Sequence, residues 1–145
     1  MFLGRATSFM SVEFIDTNII IYAHDANVPV KRARAVELIG RLSTGRNGRL
    51  STQVLLEFFA TSRKVGLPRT VAAEIVDDLT SWPVYMPSPQ DVVIATGLSI
   101  RQTISIWDAL IIRSALQSGC DILWSEDLQD GRYFGNLRVQ NPFRA

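Results

Sequence analysis

The chain has 145 residues, 47% of them hydrophobic and 20% charged, a balance that buries one sizeable core and is too apolar for extended disorder. Fifteen basic and 14 acidic residues leave a formal net charge of +1, so no global field marks a histone-like or acidic-tail protein, and any nucleic-acid site must be a local patch. A lone cysteine, Cys120, allows no internal disulfide and, with a single histidine, no structural zinc site, which fits a reducing, cytoplasmic setting.

Residues 1–9 lack the apolar run of a signal peptide and read as an upstream start or an unstructured extension, with a single domain over 10–145. No stretch approaches the roughly 18 apolar residues of a membrane span. Val12 to Ile15 reads as a strand ended by Asp16, Thr17 and Asn18, which suit a helix N-cap for Ile19 to His24. Ala35, Leu38, Ile39 and Leu42 recur with helical period until Gly45, Asn47 and Gly48 break the pattern before a short strand near Leu50. Ser51 or Thr52 can cap a third helix with Val54, Leu55, Phe58 and Phe59 on its apolar face, ended by Gly66 and Pro68. Val71, Ala72, Ile75, Val76 and Leu79 outline a fourth.

Trp82 to Met86 reads as a strand between prolines, followed by a helix from Pro89 to about Arg101 and another from Ile106 to Gly119. Asp121 to Trp124 is a compact strand, Ser125 to Gly131 a polar loop, and Leu137 to Val139 a last short strand. Strands alternating with helices predict an α/β domain with a parallel sheet covered on both faces, whose ligands sit beyond the carboxyl ends of the strands.

Several carboxylates stand where packing alone does not ask for them. Asp16 follows the first strand directly, although it could simply cap the next helix. Glu57 borders the apolar stripe of the third helix, where a solvated Glu would be unremarked. Asp108 begins the stripe continued by Ile111, Ile112 and Ala115, and a capping pair with Ser105 explains its position better than its inward direction. Glu126, Asp127 and Asp130 crowd the loop after the strand ending at Trp124. Carboxylates converging on one sheet end repel by roughly 3 kcal/mol per pair at about 5 Å and an effective dielectric of about 20, so they persist together around a cation. Oxygen ligands without Cys or His neighbours select Mg²⁺ or Mn²⁺, which takes phosphate oxygens as further ligands.

The segments Phe14–Asn18, Glu57, Ser105 with Trp107–Ile111, and Ser125–Leu128 occur in the order and element context of one family. From Met10 onward the chain resembles the PIN-domain ribonucleases, in particular the VapC-like toxins of bacterial toxin–antitoxin pairs. Val84 to Arg101 carries no signature of that family. The resemblance implies a three-layer α/β/α fold with a central, mainly parallel sheet of four to five strands, a homodimer, RNA cleavage and inhibition by a cognate antitoxin. It also implies a metal-binding set of Asp16, Glu57, Asp108 and Asp127, with Thr17, Asn18 and Ser125 as polar support. Asp16 and Asp108 would be direct ligands, and Glu57 and Asp127 direct or water-mediated ones. Glu126 or Asp130 could replace Asp127.

Thirteen of the 15 basic residues are arginine, whose planar fork suits phosphate. Arg41, Arg46 and Arg49 form one cluster and Arg63, Lys64 and Arg69 another, each a phosphate contact or a solvated face. His24 alone cannot supply the acid and base of a metal-free ribonuclease and reads as a helix-end residue. Two other classes stay open. An aspartyl phosphomonoesterase commonly needs a second Asp where this chain has Asn18. A non-catalytic acidic-pocket module that binds RNA or a phosphoryl group would need a lysine at the pocket, and neither Lys31 nor Lys64 is placed there by its helix.

Overall fold

In the computed structural model, which describes residues 10–144, the run ending at Asp16 is a strand, β1 (Glu13–Ile15), that passes directly into α1 (Thr17–Ala23). The expected extension over residues 1–9 lies outside the described residues. Asp16 keeps extended backbone (φ −79°, ψ 164°) while its carboxylate accepts the Thr17 N–H at 2.7 Å. That cap opens the helix two residues before the Ile19 start expected from hydrophobicity, because capping and not the apolar stripe decides where the first turn closes.

Pro29 occupies the first turn of α2 (Pro29–Gly45), where its missing N–H costs nothing. The chain then turns at Arg46 into β2 (Gly48–Ser51). A Cβ on Gly48 would stand 2.5 Å from the Trp82 ring, so only glycine lets this strand approach the loop before β3. Ser51 ends β2 and caps α3 (Thr52–Thr61), which runs through a 3₁₀ turn (Ser62–Val65) toward α4 (Arg69–Leu79). After β3 (Val84–Tyr85), a Ser88–Asp91 capping box opens α5 (Pro89–Gln102), and Ser105 caps α6 (Ile106–Gln117). The chain closes with β4 (Ile122–Trp124), β5 (Tyr133–Phe134) and β6 (Leu137–Gln140).

The sheet order is β3-β2-β1-β4-β6-β5. Five strands are parallel, and β5 alone runs antiparallel to β6. The sheet is mainly parallel as expected, with six strands where four to five were expected. The sixth strand, two residues long, is part of a hairpin turned by Gly135 at φ 60°. Helix α1 packs on α2 and α3, α3 packs on α4, and α5 packs on α6. With the right-handed crossovers general to parallel strands, the steps from β1 to β2 to β3 put α1–α4 on one face, and the return from β3 to β4 puts α5 and α6 on the other.

Phe14, Ile15, Leu50 and Leu123 from the sheet are fully buried between Ile20, Val54 and Phe58 of the first group and Ile111 and Ile112 of the second. Each such side chain contributes roughly 1.5–3 kcal/mol of burial. Buried polar groups are paired across elements. Asp91 accepts from Arg113 Nε at 2.7 Å, Tyr85 Oη at 2.5 Å and Ser88 N at 2.8 Å, tying β3, α5 and α6 together. Glu13, inside β1 and 3% exposed, accepts from Arg41 at 3.0 Å and from Trp124 Nε1 at 2.8 Å.

Candidate metal centre at the carboxyl end of the sheet

Strand β1 lies between β2 and β4, so the strand order switches direction at its carboxyl end and opens a crevice there. Ile15 pairs with Trp124 in the parallel ladder, and the next residue of each strand projects into that crevice. These residues are Asp16 and Ser125. The Asp16 N–H holds the Trp124 carbonyl at 3.0 Å, and Ser125 Oγ donates to Asp16 Oδ2 at 2.7 Å. Both residues are buried.

In the first turn of α1, Asn18 spans the two strand ends. Its amide Nδ2 donates to Asp127 Oδ2 at 3.1 Å and lies 3.4 Å from both Asp16 Oδ2 and Ser125 Oγ, while its Oδ1 accepts the Glu126 N–H at 3.2 Å. Thr17, its neighbour, donates from Oγ1 to Glu57 Oε1 at 2.8 Å. Helix α3 springs from the carboxyl end of β2, which is why Glu57 on its second turn returns to the same crevice. The Ser105 hydroxyl accepts the Asp108 N–H at 3.0 Å, so the capping pair expected from the sequence forms, and Asp108 also lies within the field of the other acids.

Electrostatics couple these carboxylates pairwise, Asp16 with Asp127 and Asp108, and Asp108 with Asp127 and Glu57. Burial, reinforced by the charges of Asp127 and Asp108 and opposed by bonds from Ser125 and Thr17, pushes the Asp16 carboxyl up to about 7. Partial burial also raises Asp108, with Asp127 and Glu57 adding to the rise and Ser105 offsetting part of it. The loop acids are sorted by their partners. Asp127 turns toward Asn18, whereas Glu126 accepts the Tyr22 hydroxyl at 2.6 Å and forms an ion pair with Lys31, and Asp130 accepts the Asn141 N–H at 2.8 Å.

Several expected cations lie elsewhere. Arg41 pairs with Glu13 at the amino end of β1, and Arg46 and Arg49 flank the amino end of β2, so this cluster stands across the sheet from Asp16 and not beside it. Arg63 and Lys64 are in the 3₁₀ turn at the far end of α3 from Ser51, and Arg69 lies over the Phe59 ring at 3.8 Å. Lys31 corrects the opposite expectation. It reaches the loop of Asp127, yet its charge is committed to Glu126, with the Tyr22 ring 4.6 Å away. His24 ends α1 and borders a cavity of about 670 Å³ lined by Ile20, Leu42, Ile75 and Trp82, away from the four acids.

Sequence reasoning missed Gln53. This buried residue of α3 donates from Nε2 to Glu57 Oε2 at 3.0 Å and to the Trp107 carbonyl at 3.1 Å. Its spacing of four residues before Glu57, one helical turn, is the signal that could have found it.

Among the described residues, no three His, Cys, Asp or Glu side chains gather tightly enough to cage an ion by themselves. The donor chemistry still fits Mg²⁺ or Mn²⁺. It consists of oxygen alone, one carboxyl is raised to about 7 by burial with its neighbours' charge adding to the rise, and Mg²⁺ is ordinarily held by one or two carboxylates with water completing the shell.

Residues 14–130 match the family model described as PIN domain. No curated protein sequence matches the chain. Similar solved structures include a toxin–antitoxin complex from Klebsiella pneumoniae, 17% identical with a TM-score of 0.67, covering 92% of this chain and 99% of that one. VapC20 of Mycobacterium tuberculosis, described as a sarcin-ricin loop cleaving toxin, is 20% identical with a TM-score of 0.59 and covers 79% and 91%. VapBC2 of Rickettsia felis, bound to a promoter DNA fragment, is 17% identical with a TM-score of 0.61 and covers 90% and 98%.

Proposed function

The chain belongs to the PIN domain family, and from that membership and its acidic crevice we propose that it is a Mg²⁺- or Mn²⁺-dependent endoribonuclease, the toxin of a toxin–antitoxin pair that restrains translation or growth. The observation that carries the proposal is the placement of Asp16 at the switch point of the sheet, where burial first and then the charges of Asp127 and Asp108 bring its carboxyl to about 7, with Glu57 held beside it by Thr17. An arrangement that costly without a cation is characteristic of a cation site. The similar toxins and toxin–antitoxin complexes support the biological setting.

In the proposed mechanism Asp16 and Asp108 would hold the ion directly, and Glu57 and Asp127 would hold it directly or through water. When bound, the ion supplies acidity to a water and neutralises charge on the phosphoryl oxygen. Ser125 and the Thr17 N–H fix the two oxygens of Asp16, so its free lone pairs face the crevice. Thr17 Oγ1 fixes Glu57, and Asn18 spans Asp16 and Asp127, keeping the acids at one separation while substrate enters. Attack by water forms the new P–O bond and breaks the bond to the 3′ oxygen, leaving a 5′-phosphate and a 3′-hydroxyl.

Residues 10–145 are proposed to form a single PIN domain that acts in the cytoplasm as a homodimer, with RNA as substrate and a cognate antitoxin as partner. No helix among the described residues is long and apolar enough to cross a membrane. The test is end analysis of RNA cut by purified protein with Mg²⁺, with Mn²⁺ and with EDTA. The expected result is cleavage with metal only, leaving 5′-phosphates. A 2′,3′-cyclic phosphate formed in EDTA refutes the proposal.

A further inference from the structure

Glu57 is gripped on both oxygens. Thr17 Oγ1 donates to Oε1, and the Gln53 amide donates to Oε2. The second hydrogen of that amide goes to the carbonyl of Trp107, the residue that precedes Asp108 in the first turn of α6. One buried side chain on α3 therefore binds a carboxylate of its own helix and, at the same nitrogen, the helix that supplies another.

The remaining atom of the amide has no partner. Gln53 Oε1 is buried and accepts no hydrogen bond, one of two such side-chain atoms among the described residues. Rotating the amide would satisfy nothing, because it would set the oxygen against a carboxylate and a carbonyl, both acceptors. A buried acceptor left unpaired costs free energy, and an apolar side chain of the same shape would avoid that cost. The gain that offsets it lies in what the nitrogen holds.

We propose that Gln53 is a positioning residue for the metal centre, which ties Glu57 to the main chain beside Asp108 and so sets the separation of the carboxylates contributed by α3 and α6. The assignment rests on the metal-dependent function proposed above. It places a cost in stability and a benefit in ion binding on one side chain, and the two can be measured apart.

The experiment is Gln53→Met, which keeps length and approximate volume and removes both the donor and the unpaired oxygen, with Gln53→Leu as a second apolar variant. Thermal unfolding in EDTA and calorimetric titration with Mn²⁺ are run on wild type, each variant, Glu57→Gln and the Gln53→Met/Glu57→Gln double variant. The melting temperature is expected to stay level or rise, while the dissociation constant for Mn²⁺ rises about tenfold or more, the usual effect of losing a group that orients a metal ligand. In the Glu57→Gln background, Gln53→Met is expected to add less than about twofold, because both changes act through the same carboxylate. Unchanged Mn²⁺ affinity in Gln53→Met, equal losses in both backgrounds, or failure of both apolar variants to fold would overturn the assignment. A wild-type chain that binds no Mn²⁺ refutes the metal-dependent function itself and the assignment with it.

Discussion

Replacing Asp16 by Asn should stabilise the metal-free protein while abolishing its activity. Asp16 is 4% exposed, and its carboxyl is raised from 3.8 to about 7, first by burial and then by the charges of Asp127 and Asp108. A raised carboxyl favours the folded state while protonated and loses that advantage as pH climbs through the folded value. At about 1.4 kcal/mol per unit, a rise of roughly three units means that ionised Asp16 costs the fold about 4 kcal/mol above pH 7. At pH 5, about one unit above the unfolded value, the same linkage leaves only about 1.6 kcal/mol. Asn keeps one acceptor for the Thr17 N–H and loses the carboxylate bond from Ser125, a loss of about 1 kcal/mol. Asp16→Asn should therefore gain about 3 kcal/mol over wild type at pH 8 and under about 1 kcal/mol at pH 5. Urea unfolding in EDTA at the two pH values, followed by far-UV circular dichroism, measures both numbers. A variant less stable than wild type at pH 8, or a difference that ignores pH, would refute the electrostatic account of the site.

Other perturbations probe the remaining parts. Asp108→Asn, which removes charge and keeps shape, should eliminate RNA cleavage with no loss of melting temperature, and full activity in this variant would remove Asp108 from the ligand set. Asp91→Ala should destabilise the fold by about 3–5 kcal/mol, because it strands the Arg113 guanidinium and dismantles the α5 cap, and chemical denaturation would show it. The hydrogen bonds that Tyr85 and Ser88 donate hold the Asp91 carboxyl well below 3.8, so its contribution is present above that pH and fades in acid. Cys120 is pushed up to about 12 by burial, so a disulfide reagent at pH 8 should modify it only after denaturant is added.

Much of the fold is legible in the chain because its signals are local. Asp16, Ser51, Ser88 and Ser105 all stand at strand-to-helix or loop-to-helix junctions, and each accepts a main-chain N–H in the turn it opens. Parallel strands buried on both faces also read as short apolar runs between those caps. The two-residue β5 is not legible, since Tyr133 and Phe134 become a strand only by pairing back on β6. The sorting of the loop acids is hidden for a related reason. Glu126 is drawn aside by Lys31 and Tyr22, 95 and 104 residues earlier in the chain, which leaves Asp127 to face Asn18. Gln53 reaches a carbonyl 54 residues away, a contact that no periodicity reports.

The arginines show what kind of information the sequence withholds. Glu13 and Asp16 are three residues apart, yet they lie at opposite ends of β1 and answer to opposite fields. Arg41 neutralises Glu13, bringing its carboxyl below the ordinary value although burial alone would raise it. Asp16, buried without a cation and facing other acids, is raised instead. The net charge of +1 therefore conceals a compensated amino end and an acidic carboxyl end, which cations elsewhere on the chain offset. Lys31, the cation paired into the Asp127 loop, is itself balanced by Glu126 and adds no positive charge to the crevice. A phosphodiester approaching that end meets the four carboxylates first, and repulsion of roughly 3 kcal/mol per close pair would turn it away. In the proposed function, a divalent ion held by those carboxylates would offset that repulsion and present positive charge to the phosphate. On that proposal, cation binding and substrate binding would be one electrostatic requirement placed on the same side chains.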